Sequence, residues 1–204
     1  MFGAILETLA SFVIYSIEST GYFGITILMA LESAGLPIPS EIIMPFSGFL
    51  AFQGGLSFFL VVWWGAVGNL VGSLAAYAVG YYGGRPFLKR YGRYFFFSPH
   101  DLEMAERLFQ RHGSLVAFGS RLLPIVRTFI SFPAGIAKMN IWRFSVYTFL
   151  GSVLWSWLLT YLGFRAGEHW DFLSPYFRRF DWMIVLLFGI LLVWWVQRHF
   201  KRKS

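Results

Sequence analysis

Along this chain the apolar positions come in long stretches that only a few polar residues interrupt. Ile42 to Gly84 runs for 43 residues without a charge, Phe144 to Phe164 for 21, and Trp182 to Gln197 for 16. About 20 apolar residues cross a bilayer as a helix, so the pattern predicts an all-α integral membrane protein. The start of the chain differs. Phe2, Ile5, Leu6, Leu9, Phe12, Val13 and Ile17 recur at helical spacing, with Glu7, Ser11 and Glu18 largely elsewhere. That spacing predicts an amphipathic helix over 2–19 lying in the membrane interface. The alternative is a short first transmembrane helix.

Gly21 to Leu31 is apolar but too short to cross, and it runs into Gly35-Leu-Pro37-Ile-Pro39. Two prolines this close cannot continue a helix. The chain resumes at Ser40, a candidate N-cap, with Glu41 in the first turn. A second short limb ends near Gln53-Gly54-Gly55. Two half-length limbs around a break predict a re-entrant helical hairpin. Irregular backbone at membrane depth is tolerated only where protein buries it or it lines a wet cavity.

Ser57 opens a helix to about Gly84. Gly68, Gly72, Ala76, Gly80 and Gly84 form a stripe of small residues on it, suited to close packing within the monomer or in a homodimer. Its polar groups, Asn69 and Tyr77, read as interhelical hydrogen bonders ahead of ligands. Residues 85–112 are a polar interlude in which Ser98-Pro99-His100-Asp101 has capping-box form and opens a surface helix to His112. Ser114 to Ala137 then repeats the earlier plan, with a break at Pro124 and a second limb past Pro133 and Gly135. Asn140 caps a spanning helix over 141–164. A loop over 165–181, a last helix from Trp182 to Gln197 and a basic tail complete the chain.

The organisation predicted is one membrane domain: an interfacial helix (1–19), a first repeat of hairpin plus spanning helix (20–84), a cytoplasmic loop (85–112), a second such repeat (113–167), and a loop, final transmembrane helix and tail (168–204). Charge sets the orientation. Hydrophobic residues make up 57% and charged ones 13%, against about 25% charged in soluble domains. Much of the net charge of +7 lies in Arg85 to Arg111 and Arg198 to Lys203. Basic segments beside apolar spans mark the cytoplasmic side, and no nucleic-acid partner is implied. The two repeats then enter from opposite sides. Inverted repeats with discontinuous helices characterise secondary transporters. The chain has no cysteine, which excludes disulfides and thiol-bound metals, and no metal site or cofactor is expected.

The candidate chemistry lies at the two breaks. Glu32 and Glu41 flank Pro37 and Pro39, while Arg121 and Arg127 flank Pro124. A charge at the centre of a bilayer helix costs roughly 2.5–3.5 kcal/mol on insertion scales, so these four must be paired or hydrated. Arginine's planar fork suits phosphate oxygens; Arg121 and Arg127 are the candidate phosphate ligands, with Ser40 and Ser120 in support. A carboxylate away from water takes a proton more readily, which suits Glu32 and Glu41 to proton coupling. The plainer reading is a set of salt bridges tying the hairpins together, and the two readings are compatible.

At these residues the chain resembles the DedA family, whose members share the VTT domain. The resemblance rests on Glu32 with Gly35-Leu-Pro-Ile-Pro-Ser-Glu41, the glycine-rich helix Gly65 to Gly84 with Tyr77, and Gly119-Ser-Arg121-Leu-Leu-Pro-Ile-Val-Arg127 followed by Pro133-Ala-Gly135. It covers roughly residues 20–170. Many members carry glycine where Ser40 stands. The resemblance implies opposed re-entrant hairpins in a multi-pass protein of the bacterial cytoplasmic membrane, with a cytoplasmic tail. It also implies transport of a lipid phosphate, undecaprenyl phosphate or a phospholipid, driven by proton-motive force. The functional acids would fall on Glu32 and Glu41, and the functional arginines on Arg121 and Arg127.

Two other functions fit the same residues. A small-ion or drug exporter could use the same acid–arginine site through an axial pore. A membrane lipid phosphatase is suggested by Ser120-Arg121. In that signature a histidine would stand at Arg127 and an aspartate at Ser131, and no histidine lies in either hairpin, so the phospho-accepting nucleophile is missing.

Overall fold

The computed structural model describes residues 2–36, 38–91 and 114–168, and every regular element among them is a helix. In chain order these are α1 (Phe2–Thr20), α2 (Tyr22–Ser33), α3 (Ser40–Phe52), α4 (Phe58–Tyr91), α5 (Ser114–Ser120), α6 (Pro124–Phe129), α7 (Ser131–Ile136) and α8 (Ile141–Glu168). The chain divides into two compact units. Met1–Arg165 holds all the packing considered below, and the described part of Ala166–Ser204 is the end of α8. The expected surface helix to His112, the final span from Trp182 and Pro37 itself lie outside the described residues.

Two stretches are long and apolar enough to cross a membrane, Phe58–Gly84 and Ile141–Gly167, each of 27 residues. At about 1.5 Å per residue each reaches roughly 40 Å. Both carry large apolar side chains outward: Phe59 is 79% exposed and Trp142 78%. The expected stop at Gly84 is a break rather than an end. Gly84 takes φ 53°, and the helix resumes to Tyr91. That left-handed backbone is open to glycine without penalty. At the other span, Asn140 Oδ1 accepts the N–H groups of Trp142 (3.0 Å) and Arg143 (3.2 Å), the capping role its position predicts.

The apolar core comes in two clusters. Val13 and Ile17 of α1 join Ile25, Leu28 and Met29 of α2, Ile43 and Met44 of α3, Val61 of α4 and Leu159 of α8. The other holds Tyr77 of α4, Ala117, Ile130, Ala134 of α7 and Phe144 of α8. The helices approach through backbone contacts that only glycine allows. A Cβ at Gly68 would collide with the carbonyl of Thr26, and one at Gly72 with that of Ala30. These two thus seat α2 on α4. One at Gly80 would strike the Phe132 carbonyl, and one at Gly135 the Tyr77 carbonyl, where α7 crosses α4. One at Gly48 would strike the Thr160 carbonyl, and one at Gly163 that of Pro45, where α3 crosses α8. The small-residue stripe of α4 is therefore occupied within the monomer.

Such contacts make single methyl groups costly. Gly72→Ala is expected to destabilise the protein by about 1–3 kcal/mol through overpacking. Gly119→Ala, where a Cβ meets nothing within 4 Å, should be neutral or mildly stabilising for a helix. Unfolding in mixed micelles checks both, and equal stability of the two variants would contradict the packing described.

Candidate functional site

The site begins with how α2 ends. The N–H of Gly35 bonds to the Glu32 carbonyl (3.0 Å) and that of Leu36 to the Leu31 carbonyl (3.1 Å). With Gly35 at φ 108°, this is a Schellman stop, which needs glycine at the left-handed position. It leaves Glu32 on the last turn, buried at 5% exposure. Pro39 is extended, and α3 starts at Ser40 with no side-chain cap of its own. The Ser40 N–H instead donates to Glu32 Oε1 at 3.2 Å. Ser40 is therefore not the N-cap expected from the sequence. Glu32, from the preceding helix, supplies the acceptor for α3's open N-terminus, where a carboxylate is also favoured by the helix dipole.

The second break is built differently. After α5 the N–H groups of Arg121, Leu122 and Leu123 bond to carbonyls three residues back, at 3.0, 3.2 and 3.2 Å. Leu123 is extended, and Pro124 sits in the first turn of α6, where its missing N–H costs nothing. Arg127 falls in the last turn of this short helix. Its Nη2 donates to Glu32 Oε2, closing an ion pair whose side chains are 2% and 7% exposed. The guanidinium carbon lies 5.3 Å from the ring centroid of Trp155 on α8, within cation–π range.

Arg121 is as deeply buried but meets neutral partners. Nη1 donates to the Arg127 carbonyl (2.8 Å), and Nη2 to Ser131 Oγ (2.8 Å) and Thr148 Oγ1 (3.4 Å). Its guanidinium carbon lies 5.8 Å from the Phe144 ring centroid. Each arginine thus faces an aromatic ring of a different core: Phe144 belongs to one cluster, and Trp155 packs against the other. Around them runs a seam of buried hydroxyls on α8, Thr148, Ser152, Ser156 and Thr160, spaced four residues apart. Ser152 donates to Asn69 Oδ1 at 2.8 Å, joining α8 to α4. Ser156 Oγ, Thr160 Oγ1, Trp155 Nε1 and Arg121 Nε are buried with no acceptor or donor among the described residues.

This geometry can be set beside other proteins. The VTT domain profile matches residues 38–165. The chain belongs to the VTT-domain (DedA) family. It is 38% identical to undecaprenyl phosphate transporter A of Bacillus subtilis over 166 residues, 81% of this chain and 82% of that one. It is 27% identical to the protein of the same name from Staphylococcus aureus, covering 92% and 95% of the two chains. It is also 31% identical to an alkaline phosphatase-like protein of Lactococcus lactis over 89% and 87% of the two. No solved structure matches the chain. Family membership together with the apolar helices makes this a membrane protein.

Of the residues that resemble the DedA motifs, the structure brings Glu32, Ser40, Arg121 and Arg127 together and leaves Glu41 exposed on α3, within 3.4 Å of the Ser40 hydroxyl. Arg121 has no carboxylate partner among the described residues. Ser120 is buried and donates to the Ala117 carbonyl at 3.1 Å. Asn69 and Tyr77 act between helices: the Tyr77 hydroxyl donates to the Met139 carbonyl, and its ring stacks on Phe144 at 4.9 Å. The sequence reading missed Ser131, Thr148, Gly151 and Trp155. The four-residue spacing of hydroxyls on an uncharged span was the available signal for Thr148.

Breaking one side of a buried ion pair strands the other charge, at about 3–5 kcal/mol. Glu32→Ala and Arg127→Ala should each destabilise the protein by that order. Glu32→Leu combined with Arg127→Met should recover most of the loss. A double-mutant cycle by denaturant unfolding tests this, and additive effects would show that the two side chains do not depend on each other.

Proposed function

We propose that this protein carries a lipid phosphate across the bacterial cytoplasmic membrane, with undecaprenyl phosphate the best candidate and a phospholipid the next. The carrying observation is the buried Glu32–Arg127 pair at the meeting of two broken helical segments. An ion pair desolvated on both sides stabilises little relative to an apolar pair. It is well suited to opening when one partner is offered something better. A phosphate oxygen can replace the carboxylate on Arg127 with the same charge-assisted geometry.

The names of two relatives, undecaprenyl phosphate transporter A, support the substrate. In this reading α2–α3 and α5–α7 are opposed re-entrant hairpins of an inverted repeat, with α4 and α8 as the paired spans. The packing supports it. α2 seats on the α4 glycines and the α5 end on Gly151 of α8, whereas α3 crosses α8 and α7 crosses α4. Each first limb uses its own repeat's span, and each second limb the other's. The basic 85–112 stretch and the tail would then face the cytoplasm.

Proton coupling would act through Glu32. Protonation removes the charge that holds Arg127 and frees the guanidinium for phosphate. Deprotonation draws Arg127 back and expels the ligand. Glu41, exposed, with the Ser40 hydroxyl beside it, would take up protons from the aqueous side. A phosphatase reading draws on Ser120-Arg121 and on the name of the Lactococcus relative. Against it, all four histidines lie at 100, 112, 169 and 199, outside both breaks.

In proteoliposomes containing labelled undecaprenyl phosphate, the wild type should move label across the bilayer faster under an imposed pH gradient. Arg127→Ala should fall to the protein-free rate, and Glu32→Gln should lose the response to the gradient. Wild-type transport by Arg127→Ala would overturn the site. Steady release of inorganic phosphate by the purified wild type would favour the phosphatase instead.

A further inference from the structure

Arg121 and Arg127 look equivalent in the sequence, and their surroundings are unlike. We infer that Arg127 alone meets the ligand and that Arg121 is a positioning residue that sets Arg127 in place; this rests on the lipid-phosphate reading above. A guanidinium grips an oxyanion bidentately along one of two edges, Nε with Nη2 or Nη1 with Nη2. Both edges include Nη2. In Arg121 that nitrogen is directed at Ser131 Oγ and Thr148 Oγ1, and a nitrogen of this kind has two hydrogens to give. Nε has no partner of its own, but with Nη2 committed it offers one N–H, and neither two-nitrogen edge is open.

The partners also differ in kind. Arg127 holds a carboxylate, which a phosphate can imitate. Arg121 holds a carbonyl and two hydroxyls on α6, α7 and α8, and displacing these would unmake the turn itself. The bond from Nη1 to the Arg127 carbonyl acts on the backbone of the residue whose side chain reaches Glu32. That backbone belongs to a helix of six residues, too short to hold its own geometry. The socket is shaped for Arg121: Gly151 leaves room for its stem, since a Cβ there would lie 2.7 Å from Arg121 Cβ.

The separation can be read with full-length protein in detergent micelles titrated with undecaprenyl phosphate. Affinity comes from the ligand-induced rise in melting temperature, which separates binding from intrinsic stability. Ser131→Ala with Thr148→Val leaves both arginines in the chain and removes the tethers of Arg121. A positioning role predicts roughly tenfold weaker binding, equivalent to about 1.4 kcal/mol, and recovery when Thr148→Ser replaces Thr148→Val. Gly151→Ala, which crowds the Arg121 stem, should weaken binding in the same way and serves if the double variant does not fold. Arg127→Gln should abolish binding. Unchanged or tighter binding by the untethered variant would mean that Arg121 is itself a ligand, and so would binding lost in Arg121→Gln but kept in Arg127→Gln. Absence of binding by the wild type would instead overturn the lipid-phosphate reading on which the assignment stands.

Discussion

The ion pair between Glu32 and Arg127 is the constraint around which the described helices are arranged. Its partners stand 95 residues apart, and neither could be buried alone. Glu32 has one oxygen on Arg127 and the other on the N–H of Ser40. One carboxylate on the last turn of α2 thus caps α3 and holds Arg127 of α6. Charge and backbone are satisfied together, which is what a buried network requires to be tolerable. The alternative of two isolated charges in an apolar interior is worse by several kcal/mol, so the two breaks must find each other.

The pair can form only because backbones approach closely around it. Lipid offers no hydrophobic drive for helix association, so packing must come from shape. The glycine contacts supply it. Gly68 and Gly72 bring α2 onto α4, and Gly151 of α8 admits the stem of Arg121. Gly80 with Gly135, and Gly48 with Gly163, then lock each second limb to a long helix. A methyl group at any of them would shift a whole helix and, with it, the distance across which Glu32 and Arg127 meet.

This division explains what could be read from the sequence. Glu32 and Arg127 were legible as opposed because charges are so rare in these stretches that each is conspicuous. Pro39 and Pro124 marked the breaks between limbs, and Asn140 announced α8. The choice of partner was not legible. Whether Arg121 or Arg127 would reach Glu32 depends on a turn of three consecutive short-range hydrogen bonds between Phe118 and Leu123, which the sequence does not distinguish from a longer helix. Ser40 looked like a cap because serine caps well. It lost that role because a carboxylate from the neighbouring helix, invisible to local pattern, reached the same N-terminus. Glu41 looked equal to Glu32, but one step along α3 turns it outward. Nothing local singles out Trp155 among nine tryptophans, and only the fold sets its ring against Arg127.

The same physics limits how such a site can work. Arg127 cannot simply let go of Glu32, because a bare guanidinium at that burial would cost about 3–5 kcal/mol. In the proposed transport, exchange would therefore be concerted: phosphate would arrive as the carboxylate leaves, or a proton would neutralise Glu32 while water reaches Arg127. In either order the guanidinium must stay in register while its counter-charge changes. The ring of Trp155 offers a face that attracts the cation whatever anion lies beyond it. The fixed Arg121 holds the backbone from behind. Spare donors are present too, in the Trp155 Nε1 and Ser156 Oγ groups that lack partners among the described residues. Each such donor carries a desolvation penalty while it is uncommitted. In the proposed transport such groups would offer a headgroup further hydrogen bonds once the pair opens.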